Sequence, residues 1–270
     1  MNELYLYLLA VISERHGVLV HGATLMSTHE HIVVTDVRGC LPRFLAELHR
    51  MVALCVKVLR KWEGEVWDSA KTSAVELRTD EAVIEKLAYI AANPVAAGLV
   101  HRARDWPGLT TLPKDLGRTS WTVPRPAFYL DQANPNWPKT STLKLSPPPQ
   151  AHASQEQVRA MVETELGRIE TEAQAKAQAK GFTVPNVRYL QRLSPFKRAK
   201  SWEPLRALNP TFAVGRGQRK AFITAVQVLR DFRAFYREAL EAWRHGLRNA
   251  VFPRATWSMR VLHGVAVSPP

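Results

Sequence analysis

The order of hydrophobic periods in the first 95 residues is the strongest constraint on the fold. Residues 3–15 carry apolar side chains at helical spacing and are followed by Gly17, a residue that commonly ends helices. Two runs rich in β-branched residues, "VLVHGATLM" and "HIVVT", are separated by the polar "STHE" and predict an antiparallel pair. Residues 42–62 return to the helical period, "AVELRT" alternates like a strand, and "DEAVIEKLAYIAANP" begins with acidic residues and ends at a proline. The resulting order, α-β-β-α-β-α, predicts an α+β fold in which helices pack on an antiparallel sheet with the histidine-bearing strand at its centre.

Two histidines open the second β-run. Because side chains alternate along a strand, His29 and His31 share one face while Glu30 points to the other. Imidazoles two residues apart on one face can bind the same divalent cation, and nitrogen ligands suit Zn, Mn, Co or Ni. A bare His-x-His is also common by chance, and the pair alone favours two polar residues on a solvated sheet face.

The helix predicted from residue 80 presents a second group of polar side chains. Glu85, Tyr89 and Asn93 follow one another at i, i+4 and i+8, opposite the apolar stripe. Tyr89 is therefore turned away from the core. A phenol beside an amide one helical turn later can act as a nucleophile next to a metal site that Asn93 completes with His29 and His31.

These motifs, in order and spacing, resemble a known family. "MSTHEHIVVTD", then "YIAANPVAAGLV" and "DWPG" are similar to the REP-associated tyrosine transposases, single-tyrosine HUH transposases that act on single-stranded DNA, and the similarity covers roughly residues 3–108. The segments "SPFKRAKSWEP" and "VFPRATWSMRVLHG" resemble the basic extension of longer bacterial relatives. The resemblance implies a ferredoxin-like HUH core in which His29 and His31 are metal ligands, Tyr89 is the nucleophile and Asn93 is the third protein ligand.

The implied reaction is strand transfer on single-stranded or hairpin DNA with Mg²⁺ or Mn²⁺ as cofactor. The tyrosine oxygen attacks a phosphodiester, and a 5′-phosphotyrosine link and a free 3′-hydroxyl are formed. Since the covalent link stores the phosphodiester energy, no nucleotide cofactor is expected, and the sequence has no GxxxxGK loop.

The sequence departs from the family pattern at two places. Glu30 occupies the position between the histidines where an apolar residue is usual, so its carboxylate is expected to reach solvent, to pair with a residue such as an arginine, or to approach the metal. The chain also opens at the first helix, where relatives begin with a strand. We therefore expect either a late start or a sheet that lacks one edge strand and leaves its neighbour's backbone groups unpaired.

Positive charge is concentrated in the C-terminal part. Residues 1–110 hold 12 Lys and Arg against 13 Asp and Glu, a net charge of −1, and the remainder holds 25 against 11, a net charge of +14. We predict a catalytic domain at 1–110, a Pro-rich linker or crossover at 111–153 and a basic, mainly helical region at 154–270, in which residues 154–180 form a solvated helix. The residues proposed to bind DNA phosphates are Arg192, Lys197, Arg198 and Lys200. A solvated basic loop is an equally good interpretation of these four.

Three classes of function remain open. The first is an active single-strand DNA transposase, the second is a domesticated or inactive relative that only binds hairpin DNA, and the third is an unrelated metal-dependent hydrolase in which Tyr89 is dispensable. The longest apolar runs are too short to span a membrane, and no basic residue precedes the apolar start, so we expect a cytoplasmic protein without a membrane partner. The sequence leaves a monomer and a homodimer equally open.

Overall fold

The computed structural model describes residues 1–68, 72–149, 153–194, 196–197 and 210–268. This part of the chain is a mixed α+β structure, which confirms the predicted class. Its helices are α1 (Asn2–His16), α2 (Leu41–Arg60), α3 (Asp80–Ala96), α4 (Gln155–Ala179), α5 (Val187–Arg192), α6 (Arg219–Arg244) and α7 (Trp257–His263). Its strands are β1 (Val18–Leu25), β2 (Glu30–Asp36), β3 (Glu76–Leu77), β4 (Ser120–Pro124), β5 (Thr140–Lys144), β6 (Phe212–Ala213), β7 (Val251–Phe252) and β8 (Ala266–Val267). No helix in these ranges is both long enough and apolar enough to cross a membrane.

The antiparallel hairpin of β1 and β2 is sandwiched between helices. On one side it packs against α1 and α2 in a core that includes the fully buried Phe44 and Leu48. On the other side Val33 packs against α3. Val33 has the same strand parity as the two histidines, so the histidine face of β2 is the face that α3 covers.

The histidine strand differs from the prediction in its position. In the described ranges β2 pairs with β1 alone, so it is an edge strand and not a central one. The far side of β1 is covered by residues 109–111: the amide of Leu25 donates to the Leu109 carbonyl, and the amide of Thr111 donates to the Ala23 carbonyl. The strands found here make four two-stranded sheets, so no wide sheet surrounds β2.

Residues 111–153, predicted as a linker or crossover, are part of the N-terminal core over their described portion. β4 and β5 form an antiparallel hairpin that packs on α1. Leu143 and Leu145 are almost completely buried there. Pro124 lies at the end of β4, and Pro126, Pro135 and Pro138 lie in the connection to β5, where the backbone can do without their missing N–H groups.

Helix α4 is not the fully solvated helix that its composition predicts. It packs along α3, and Val158, Val162 and Leu166 are buried in that contact. Most of its remaining surface is exposed. Three apolar residues are enough to pack α4 against α3, because α3 is rich in small residues in the segment "AYIAANPVAA".

The C-terminal part returns to the start of α3 through residues 211–216, which we call the return segment. β6 pairs in parallel with β3. The amide of Gly215 donates to Thr79 Oγ1 over 3.0 Å. The Arg216 amide and its guanidinium Nε donate to Glu85 Oε1 over 2.9 and 3.1 Å, and the same guanidinium pairs with Glu165 of α4. After this contact the chain forms α6 and a small core around the fully buried Phe252.

Candidate active site

The histidines and the tyrosine come from β2 and α3, and the sequence of each element explains how closely they approach. Thr79 caps α3 by accepting a hydrogen bond from the Ala82 amide over 3.1 Å, and two acidic residues follow in the first turn, where the helix dipole favours them. Gly22 of β1 lies under the apolar face of α3. A Cβ at that position would stand 3.0 Å from Leu87 and 3.1 Å from Ile90, so the glycine lets the helix pack closely on the hairpin.

His29, His31 and Asn93 form one hydrogen-bonded group. His29 Nε2 lies 3.2 Å from Asn93 Oδ1, and Asn93 Nδ2 lies 2.9 Å from His31 Nε2. The two imidazole rings meet edge to face with their centroids 5.0 Å apart. Both Nε2 atoms therefore converge on one amide, although the residues are more than 60 positions apart in sequence.

The protonation of these rings can be assigned from their partners. His31 Nε2 faces an N–H donor, so it carries the lone pair. Burial, reinforced by the neighbouring His29 and the Lys86 ammonium, lowers the pKa of His31 to about 4, so this ring is neutral at physiological pH. His29 Nε2 faces the Asn93 amide oxygen, an acceptor, so Nε2 carries the hydrogen in this contact, and the Thr28 hydroxyl, 3.0 Å from His29 Nδ1, helps to orient the ring.

Tyr89 lies beside this group. Its ring packs edge to face on His31, with the centroids 5.5 Å apart at 74°. The side chain is 40% exposed, as its position opposite the apolar stripe predicts, whereas Asn93 is buried. The Lys86 ammonium lies 4.9 Å from the centroid of the Tyr89 ring. We did not predict a role for Lys86. Its position three residues before Tyr89 was the feature of the sequence that could have indicated that the two side chains are neighbours.

The donor set fits a divalent cation of the Mg²⁺ or Mn²⁺ type only with additional oxygen ligands. Two imidazoles and one amide oxygen can supply three donors, and imidazole suits the transition metals better than it suits Mg²⁺. The described residues contain no group of three or more His, Cys, Asp or Glu side chains that would hold a metal without the amide. His29, His31 and Asn93 could supply three of the ligands of such an ion.

Glu30 lies on the opposite face of β2 and has a different partner from the one we expected. Its side chain is only 7% exposed and its Oε1 lies 2.7 Å from His49 Nε2, so neither solvent nor an arginine satisfies it. Its second oxygen is buried without a hydrogen bond, as is the Tyr5 hydroxyl. Burial and the nearby Glu30 charge raise the pKa of Tyr5. His49 is half-buried and packs on the ring of Trp67, with the ring centroids 4.9 Å apart.

His21 is structural. It is buried within β1, where Nε2 lies 2.8 Å from Thr35 Oγ1 and Nδ1 lies 3.1 Å from the Ser146 carbonyl oxygen. These contacts join the β1–β2 hairpin to the chain that follows β5. Burial lowers the pKa of His21, so the neutral ring is favoured.

The predicted phosphate-binding residues lie apart from this group where the structure describes them. Arg192 ends α5 and is exposed. Lys197 is exposed and its ammonium donates to the Tyr189 hydroxyl over 3.0 Å. Nearby, Phe196 is 55% exposed and stacks on Trp62 with the centroids 5.6 Å apart. Arg198 and Lys200 lie outside the described residues.

No family model matches the chain, and no curated protein or solved structure is significantly similar to it.

Proposed function

We propose that this chain is a metal-dependent single-strand DNA transposase or endonuclease that cleaves and rejoins DNA through a 5′-phosphotyrosine intermediate, with Tyr89 as its nucleophile. The observation that carries the proposal is the edge-to-face contact of the half-exposed Tyr89 ring with His31, whose Nε2 shares the Asn93 amide with His29. A hydroxyl nucleophile beside three side chains that could hold a metal ion suits phosphodiester exchange.

The bonds and protons of the reaction balance without a further cofactor. The Tyr89 oxygen forms a bond to phosphorus, and its phenolic proton leaves to water. The bond from phosphorus to the upstream 3′-oxygen breaks, and that oxygen takes up a proton to become a 3′-hydroxyl. The number of P–O bonds is unchanged, so attack by a 3′-hydroxyl on the phosphotyrosine reverses the step. A bound divalent cation would supply polarisation of the phosphate.

Each residue has a part that follows from its contacts. His31 is neutral at physiological pH and keeps its Nε2 lone pair available, since its pKa is about 4. Thr28 holds the His29 ring in orientation. Asn93 sets the distance between β2 and α3. The exposure of Tyr89 leaves room for a strand of DNA to reach its oxygen.

The C-terminal part supports DNA as the partner. Residues 210–268 hold ten Lys and Arg against three Asp and Glu. Several large apolar side chains on α6 are also exposed, namely Phe222, Ile223, Val228 and Phe235. Alternation of cationic and aromatic groups suits a phosphate backbone with unpaired bases. This surface favours the alternative function, hairpin-DNA binding without cleavage, equally well.

The test is adduct formation by the purified full chain on single-stranded hairpin DNA from its own flanking sequence, with Mg²⁺, Mn²⁺ or EDTA. A 5′-phosphotyrosine link predicts that 3′-end-labelled DNA migrates with the protein on a denaturing gel, while 5′-end-labelled DNA is released as a shorter strand that a polymerase can extend. Tyr89→Phe must abolish both products. Tyr129→Phe is the matched control, because Tyr129 is exposed to a similar degree, at 46%.

Binding without an adduct under every metal condition would replace this proposal with the binding-only function. Metal-dependent DNA cleavage that survives Tyr89→Phe would instead identify a hydrolase that uses water.

A further inference from the structure

Lys86 is a charged group on the same face of α3 as the proposed nucleophile. It precedes Tyr89 by three residues and Asn93 by seven, so the three side chains lie along one stripe of the helix. The Lys86 ammonium is 4.9 Å from the centroid of the Tyr89 ring, and the residue is half-buried.

The acidic residue next to Lys86 in sequence does not neutralise its charge. Glu85, which precedes Lys86, is held by Arg216 of the return segment. Within the ranges that the structure describes, Lys86 forms no ion pair. A half-buried cation beside the phenol ring of Tyr89 is suited to an anion that arrives from outside.

We propose that Lys86 binds a non-bridging oxygen of the phosphodiester that Tyr89 attacks. This inference rests on the proposed function and adds a substrate-contacting residue to it. An ammonium offers three donors as a compact point charge, which suits a phosphate oxygen. No proton passes through the lysine in this role. Its charge opposes the negative charge that accumulates on the phosphoryl oxygens as the Tyr89 oxygen approaches.

The competing role for Lys86 is purely structural, a cation that rests on the Tyr89 ring and fixes its rotamer. The salt dependence of DNA affinity separates the two roles, because a phosphate contact releases a counterion and a ring contact does not. We would measure affinity for a single-stranded oligonucleotide from 50 to 400 mM NaCl in the Tyr89→Phe background, where no cleavage interferes.

Lys86→Met keeps the aliphatic stem and removes the charge. The slope of log affinity against log salt should become shallower by about 0.7, the value for one contact to single-stranded DNA. Lys86→Arg should retain the slope, and Lys144→Met is the matched control, since Lys144 is an exposed lysine of β5, a strand that packs on α1. With Tyr89 present, Lys86→Met should slow adduct formation about 10²–10³-fold, as loss of one preorganised donor does, and Lys86→Arg should restore most of it.

An unchanged salt slope together with an adduct rate within twofold of wild type would overturn the inference and leave Lys86 as a packing residue. If the wild-type chain forms no adduct in any metal, the proposed function fails, and with it a catalytic part for Lys86. The salt slope is measured without cleavage and would still report whether Lys86 contacts phosphate. Thermal unfolding is measured for every variant, and Lys86→Gln serves as a second uncharged substitution, so that a folding defect is not mistaken for the loss of a phosphate contact.

Discussion

Removal of His49 should destabilise the protein far more than removal of its buried partner. His49→Ala removes the hydrogen bond between His49 and Glu30, whose carboxylate is 7% exposed. Breaking a buried pair by deleting one partner costs about 3–5 kcal/mol. Glu30→Leu should cost less than about 1.5 kcal/mol, because it removes the buried charge and leaves His49, at 21% side-chain exposure, able to reach water.

The part of the loss in His49→Ala that comes from the unpaired carboxylate has an upper bound that depends on pH. A buried carboxylate without a partner can take up a proton, and a glutamate ordinarily titrates near pH ~4.3, so keeping one neutral costs about 1.36 kcal/mol for each pH unit above that value. The bound is about 3.7 kcal/mol at pH 7 and about 1 kcal/mol at pH 5. Lowering the pH should therefore rescue most of the stability lost in His49→Ala relative to wild type.

Urea unfolding followed by circular dichroism at pH 7 and pH 5 measures these free energies. For an m-value of about 3 kcal/mol/M, His49→Ala should lower the urea midpoint by roughly 1 M at pH 7. The double variant Glu30→Leu/His49→Ala is the control, since without the carboxylate the His49 substitution should cost about 1 kcal/mol. The reasoning is refuted if the His49→Ala loss is the same at both pH values, or the same in the Glu30→Leu background.

Three further predictions concern the candidate site and its anchor. In the metal-free protein the His31 ring should titrate by NMR with a midpoint of about 4, and His31→Gln assigns the signal. Because folding lowers the pKa of this ring, its contribution to stability is present above pH ~6.5 and is lost as the pH falls toward 4. A measured midpoint near 6.5 would contradict this prediction. Thr28→Val should weaken Mn²⁺ binding about 10-fold through looser orientation of His29, measured by calorimetry, and unchanged affinity would show that the hydroxyl plays no part. Gly215→Ala places a Cβ 2.1 Å from the Cβ of Glu81, so the substitution should detach the return segment from α3. The detached segment should be cut more readily in limited proteolysis. An unchanged digestion pattern would contradict this prediction.

The local elements and the side on which Tyr89 lies were predictable, because both follow from periodicity within one stretch of sequence. The helix of residues 80–96 and the alternation of β2 are read from spacing alone. Even so, α3 continues through Pro94 to Ala96, because a proline in the last turn disrupts little of the helix that precedes it.

The partners contributed by distant segments were not predictable. Glu30 and His49 meet because α2 crosses the inner face of β2, and no sequence pattern states that crossing. The pairing of β3 with β6 joins residues about 136 positions apart, so only the folded chain shows it. The hairpin of β4 and β5 was missed for a different reason: its proline content suggested a linker, although the alternation of Thr142, Leu143, Lys144 and Leu145 was a signal for a half-buried strand.

The return segment has a consequence for the timing of protein synthesis. Arg216 binds Glu85, which lies one helical turn before Tyr89 in α3. Arg216 is translated 131 residues after Glu85. At ~5–20 residues per second, a ribosome needs roughly 7–26 s to add those residues. During that interval the helix that carries Tyr89 lacks its contact with Arg216. On our proposal, a nascent chain would acquire a fully anchored nucleophile only after synthesis of its basic C-terminal part has begun.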